Sequence, residues 1–329
     1  MVEDANIDNL GAGTLGDLPR PVATRLKGRP DHARAAITRK VFVCGATGRF
    51  GGVCLSLLQR GHAVRAITRT PGSPAAQRLR AAGVEKIAGD LDNLTGLTEA
   101  MRGVDAVIAS GTLHKAGPEG ELRHGRSTAD AVAAARVPHL VYVSGADAAA
   151  GTGVPIFDVK AAVERHIQSV GVPATIVAPV YLMENLFNPW NLDALRAGRV
   201  RSFVAPERPV QQAAVADVIA FAALAVEQSD QLLGERVEIA SDELTAKQTV
   251  EVLARVTGRS FVVAGSSPSS LGPGLAALFA WLDQRGHQVD IAALQKRHPD
   301  IGWHSFERWV REQTLDGAFS GEAADAASA

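Results

Sequence analysis

The chain has 329 residues, 46% of them hydrophobic and 21% charged, with a formal net charge of -1. Such a balance removes the electrostatic case for nucleic acid or an anionic membrane as a partner. No apolar run reaches bilayer length and no signal-like segment follows Met1, so a cytoplasmic protein is expected.

The first stretch, residues 1–39, begins acidic (Glu3, Asp4, Asp8, Asp17), turns basic, and carries prolines at 19, 21 and 30. It reads as an irregular arm. Its Gly11-Ala12-Gly13-Thr14-Leu15-Gly16 matches a dinucleotide fingerprint by letters alone. No apolar strand precedes it and Asp17-Leu18-Pro19-Arg20-Pro21 cannot continue as a helix, so it is set aside.

From Lys40 the chain alternates. Strand-like runs are predicted at Val41–Cys44, Ala63–Thr68, Val84–Ala88, Ala106–Ala109, Leu140–Val143 and Ala174–Ala178. Helices are predicted between them at Phe50–Arg60, Pro74–Ala82, Leu94–Arg102, Leu122–Ala135 and Phe157–Val170, the last with Val159, Val163, Ile167 and Val170 at one-face spacing. This rhythm predicts an α/β fold, a doubly wound parallel (Rossmann) sheet over residues 40–180. Beyond it, 181–313 predicts a smaller α/β cap partly interleaved with the core: an irregular Val180–Ala197, helices at Val215–Glu227 and Ala246–Val256, and strands at Val237–Ala240 and Phe261–Ala264. Residues 314–329 read as a flexible tail.

Only two cysteines occur, Cys44 in the first strand and Cys54 in the helix after it, and they read as buried small hydrophobes. The histidines are scattered; His114 and His124 have neither helical-face spacing nor cysteine neighbours, so no metal site is expected.

The strand Lys40–Cys44 runs directly into Gly45-Ala46-Thr47-Gly48-Arg49-Phe50-Gly51 and a helix. Gly45 permits the tight turn, Gly48 lets a pyrophosphate approach the backbone, and Gly51 lets strand and helix pack closely. About twenty residues on, an NAD-preferring site places a carboxylate; here stand Thr68 and Arg69. A guanidinium suits a 2′-phosphate, so NADP(H) is expected in preference to NAD(H), with Arg49 as a second positive charge. Solvated surface arginines are the plainer alternative. Further strand ends should line the same ligand: Asp90 and Leu91 near adenine, Ser110 and Gly111 near ribose, Ser144 and Gly145 near nicotinamide. Each is also an ordinary loop residue.

The glycine turn, Val64-Arg65-Ala66-Ile67-Thr68-Arg69, Gly89-Asp90-Leu91-Asp92, Phe157-Asp158-Val159-Lys160 with Glu164, Pro179–Leu186 and the late Trp303…Phe306-Glu307-Arg308-Trp309 together resemble the NmrA-like family, from about Lys40 to Gln313. That family is an atypical branch of the short-chain dehydrogenase/reductases. The resemblance implies a Rossmann domain with a small cap and a pocket. It also implies either NADPH-dependent reduction of quinones, dyes or other unsaturated compounds, or an inactive sensor of NADP(H) acting through a regulatory partner.

Short-chain dehydrogenases use a tyrosine acid one turn before a lysine, with a serine on the substrate carbonyl. Ser144 and Lys160 stand at plausible serine and lysine places, but Ile156 and Phe157 occupy the tyrosine's position, and the chain's two tyrosines are Tyr142 and Tyr181. A reductase of this kind transfers hydride to an electron-poor small molecule whose product needs no strong acid, with Lys160 fixing the nicotinamide ribose. The plainer role for Lys160 is a surface pair with Glu164. Tyr181, Met183, Phe187 and Trp190 read either as substrate-pocket residues or as packing. A homodimer or a regulatory partner stays open.

Overall fold

The computed structural model describes residues 38–313. The arm through residue 37, with Gly11–Gly16, and the tail from 314 lie outside the described residues. Among the described residues no helix is long and apolar enough to cross a membrane. The chain divides into two compact units: one holds the described residues up to Val180 together with Val215–Ile239, the other holds Tyr181–Ala214 and the described residues from Ala240.

In chain order the first unit contains β1 (Lys40–Val43), α1 (Val53–Gln59), β2 (Ala63–Thr68), α2 (Pro74–Ala81), β3 (Glu85–Ala88), α3 (Leu94–Met101), β4 (Ala106–Ser110), α4 (Leu113–Ala135), β5 (Leu140–Val143), α5 (Pro155–Ser169) and β6 (Ala174–Pro179). The second unit then takes β7 (Tyr181–Leu182), α6 (Pro189–Arg196), β8 (Arg199–Ser202) and β9 (Val210–Ala213). The chain returns to the first unit for α7 (Val215–Glu227), α8 (Ser229–Leu232) and β10 (Arg236–Ile239). It ends in the second with β11 (Asp242–Leu244), α9 (Ala246–Thr257), β12 (Val262–Gly265), α10 (Pro273–Gln284), α11 (Ile291–Arg297) and α12 (Phe306–Glu312).

Seven parallel strands form the first unit's sheet in the order β10-β6-β5-β4-β1-β2-β3. The central strands are continuous apolar runs because helices cover both faces: Leu140–Val143 of β5 is buried at every position. The edge strand β3 is more exposed, and Glu85 there pairs with Arg65 at 3.0 Å. Between α3, α4 and α5 and the sheet lies a core of Leu97, Met101, Val107, Ala129, Val132, Leu140, Val163 and Ile167. Burial in this unit pushes the thiols of Cys44 and Cys54 up to about 12, so both stay protonated and inert at neutral pH.

Three departures from the sequence reading stand out. Helix α1 starts at Val53 rather than Phe50, because the glycine turn extends through Gly52. Helix α4 reaches back to Leu113, nine residues before the predicted Leu122, but Gly117 breaks it at φ 66°, ψ -178° just ahead of Pro118. The supposedly irregular 180–197 holds α6, which Pro189 starts after extended Asn188. In addition α7 and β10, expected in the cap, belong to the first unit.

The second unit has two small sheets, β11-β9-β7 and β12-β8. Thr245 caps α9 in a reciprocal box with Gln248, and Gly258 closes it in the left-handed region at φ 69°. Its core gathers Met183, Phe187, Leu195, Leu253, Phe306 and Trp309, with Phe187 and Trp309 ring centroids 5.5 Å apart.

His139 precedes β5, fully buried, with Nε2 2.8 Å from the Thr175 hydroxyl. Burial first, and the Arg39 charge second, lower its pKa from 6.5 to about 4. The unfolded imidazole thus takes its proton at higher pH than the folded one. Stability is full above pH 6.5 and falls as pH drops towards 4, by on the order of 3 kcal/mol from this group. Urea unfolding from pH 7 to 4 should show a shallower acid loss in His139→Gln than in the wild type; identical slopes would refute the assignment.

Candidate functional site

The turn after β1 is built from glycines for separate reasons. Gly45 has φ +78°, and a Cβ on it would lie 2.7 Å from the Ser110 hydroxyl oxygen. A Cβ on Gly51 would fall 1.9 Å from the Ala46 carbonyl oxygen, so strand and helix meet there with no room for a side chain. Gly48 is different. Its backbone needs no positive φ, and an added Cβ would meet only the Gly45 carbonyl oxygen, at 3.2 Å. The Gly48 amide donates to Gly45 and the Gly51 amide to Gly48, closing the turn at 2.9 and 3.0 Å. Those of Thr47, Phe50 and Gly52 have no acceptor among the described residues.

The chain order of the sheet reverses between β1 and β4, and the glycine turn sits at this switch point, where open α/β sheets bind ligands. Arg69 follows the last residue of β2 and is exposed; Arg49 is half-buried and engaged. Past β3, Asp90 takes the Asp92 amide at 3.1 Å, and the Leu91 carbonyl accepts the Ser127 hydroxyl at 2.6 Å. Ser110 ends β4 beside the glycine turn. Asp90, Asp92 and His124 bring possible ligand atoms within 4.8 Å of one another. Asp92, however, already receives the Arg123 guanidinium, chiefly whose hydrogen bond lowers its pKa, and that fixed charge opposes a second cation.

Two buried carboxylates organise the ends of β4 and β5. Glu121, on α4, is 1% exposed; it accepts the Thr112 amide and stands 3.2 Å from the Lys160 ammonium. Its carboxylate occupies the space a Cβ on Gly111 would need, 2.2 Å away. Glu164, one turn after Lys160 on α5, accepts the Ser144 hydroxyl and Arg236 Nε at 3.0 Å. Arg236, on β10, also donates to Glu238 at 2.7 Å and to the Gly145 carbonyl at 2.8 Å, while Glu238 accepts the Asp147 amide. The plainer of the two sequence readings of Lys160 paired it with Glu164; the structure gives Lys160 to Glu121 and Glu164 to Arg236. Sequence reasoning named neither Glu121 nor Arg236.

Neither Ser144 nor Tyr142 offers an ordinary acid. Ser144 is buried and its proton is committed to Glu164. Tyr142 lines a small cavity with Ser110, Gly111, Glu121 and His124, and its hydroxyl has no partner among the described residues. Burial, then Glu121 and Glu164, raise its pKa well above 10. In the second unit Tyr181 packs edge-on to Phe279 at 5.9 Å, and half-buried Trp190 joins the same cluster of Phe203, Phe279 and Leu282. Met183 and Phe187 lie in that unit's core.

The NmrA-like family model matches residues 37–270. The chain belongs to the NmrA-like family. A (4-alkanoyl-5-oxo-2,5-dihydrofuran-3-yl)methyl phosphate reductase of Streptomyces griseus is 32% identical over 67% of this chain and 74% of its own. The chain spans about half the length of the NmrA-like family domain-containing oxidoreductases that it matches in Aspergillus, Cladobotryum and Penicillium. In structure it is similar to the NADPH-dependent quinone oxidoreductase QOR2 of Escherichia coli, solved with NADPH (TM-score 0.70, 23% identity, 82% of this chain and 98% of that one). It is also similar to NmrA, a negative transcriptional regulator (TM-score 0.69, 20% identity, 84% and 95%). These structural likenesses establish the fold.

Replacing Arg236 by methionine should leave Glu164 buried without its cation and free the loop after β5. Unfolding free energy should fall by about 3 kcal/mol. Arg236→Lys should recover little, since one ammonium cannot reach the three acceptors of the planar fork. Denaturant titration of both variants checks this, and a lysine variant as stable as the wild type would refute it.

Proposed function

We propose that this chain is an NADPH-dependent reductase that delivers hydride to an electron-poor, quinone-like or otherwise unsaturated small molecule. The observation that carries it is Gly48. The folds of Gly45 and Gly51 require glycine, whereas at Gly48 the protein itself leaves nearly enough room for a Cβ. A bound diphosphate is what needs that space, with the amides of Thr47, Phe50 and Gly52 as donors.

The residues present fit the cofactor along its length. Arg69 would hold the 2′-phosphate and Arg49 would add positive charge; Asp90 and Leu91 would flank adenine, Ser110 and Gly111 the ribose, and Lys160 the nicotinamide ribose. Bound NADPH would supply the hydride. Ser144 would shape the nicotinamide end rather than donate to substrate, because its hydroxyl is committed to Glu164. With Tyr142 buried and Ile156 at the usual acid's place, the protein has little to protonate a simple ketone. An acceptor whose reduced form is a stabilised anion takes its proton from water. The names of the Streptomyces griseus relative and of the Escherichia coli quinone oxidoreductase point to acceptors of this kind. Tyr181, Met183, Phe187 and Trp190, expected from the sequence either as pocket residues or as packing, pack within the second unit. The same lack of an acid favours the rival reading, an NADP(H) sensor acting through a protein partner.

Purified protein should oxidise NADPH when given menadione, dichlorophenolindophenol or an enone. Intact NADPH binding with no turnover on any of them would favour the sensor. Arg69→Ala should weaken NADPH binding by about tenfold while leaving NADH binding nearly unchanged, by calorimetry; equal losses would remove the 2′-phosphate contact. Gly48→Ala should keep its melting temperature within a few degrees and lose both nucleotides; retained affinity would place the cofactor elsewhere.

A further inference from the structure

We infer that Glu121 is a positioning residue of the cofactor site: its buried carboxylate holds the Lys160 ammonium and the Thr112 amide together, setting where Lys160 meets the nicotinamide ribose. This rests on the proposed binding of NADPH.

A carboxylate that is 1% exposed is costly unless paired, and an apolar residue of similar volume would serve packing at least as well. What Glu121 adds is geometry. The Thr112 amide fixes one carboxylate oxygen and Lys160 Nζ lies 3.2 Å from the other. The loop after β4 and helix α5 are therefore tied through one side chain of α4.

Two glycines make room for the pair. At Gly111 a Cβ would overlap the Glu121 carboxylate, and at Gly145 it would come within 3.1 Å of Lys160 Cδ. The lysine stem thus lies along the loop after β5, and its head is aimed at the end of β4. Glu164, the neighbour a turn away on α5, does not compete, since Arg236 and Ser144 satisfy it. Lys160 remains 16% exposed, and an ammonium has three donors, so contact with Glu121 leaves hydrogens for a ligand. A lysine without Glu121 would sample many rotamers, and binding would have to order it at a cost.

The test is a double-mutant cycle read by NADPH affinity on the full chain. Glu121→Gln keeps an acceptor for Thr112 but removes the charge, and it should weaken NADPH about tenfold. Lys160→Met should weaken it similarly, and the double variant should be no worse than Lys160→Met alone. Additive losses, or a Glu121→Gln protein that binds NADPH as the wild type does, would overturn the inference. Circular dichroism reports folding of each variant. If Glu121→Gln does not fold, Glu121→Asp retains the charge one methylene short and should weaken NADPH by three- to tenfold; unchanged affinity there would be equally fatal. Wild-type protein that binds no NADPH at all would overturn the cofactor reading and this one together. Binding that is lost in Gly48→Ala but indifferent to Glu121 would overturn this one alone.

Discussion

All seven strands of the main sheet run in one direction, and that constraint decides where chemistry can sit. Helices cover both faces, so the interior of each strand is apolar and polar residues are pushed to the strand ends. The carboxyl ends of β1, β2, β3, β4 and β5 therefore gather along one edge. Where the order reverses between β1 and β4, the connections leave in opposite directions and the edge opens. The Gly51–Ala46 contact fixes the joint between β1 and α1 so tightly that no side chain is admitted.

Along that edge, desolvated carboxylates set the second tier of organisation. Glu121 and Glu164 lie on adjacent helices and each must find a cation. Lys160 answers the first. The second is answered from far away in sequence by Arg236, on the outermost strand β10. This gives the return of Val215–Ile239 to the first unit a structural consequence: β10 extends the sheet beyond β6 and carries Arg236 and Glu238 to the loop after β5.

The alternation of short apolar strands with helices, and the glycine turn between the first of each, were legible because both depend on local residue type and spacing. Strand limits were recovered within a residue or two for the same reason. The start of α4 was not, since Gly117-Pro118 is a break by composition, yet a short turn of helix precedes it. The sequence reading made 181–313 interleave with the core without saying which part returns, because nothing local distinguishes a strand that pairs with β6 from one that pairs elsewhere. The sequence does carry a signal for Glu121. It falls in phase with the buried stripe His124, Thr128 and Val132 of α4, and a carboxylate on a core stripe demands a buried cation. Glu164 falls likewise in phase with Phe157, Ala161 and Ile167. Arg236 could not have been matched to it, because a partner 72 residues away is set by topology.

The same network bears on chemistry. A hydroxyl is a useful acid when its proton is free and its conjugate base is stabilised. The Ser144 proton is held by Glu164, and the Tyr142 hydroxyl faces two carboxylates in a buried place, where ionisation is opposed by burial and by repulsion alike. The anions that order the loops after β4 and β5 thereby disqualify the nearest hydroxyls from proton donation. For the proposed reductase such a site would contribute placement and a fixed ammonium, and it would suit acceptors whose reduced form is already a good anion. The missing tyrosine and the buried carboxylates thus act in the same direction: in the proposed reductase each would shift the burden of reduction from the protein's acids to the electronic character of the acceptor.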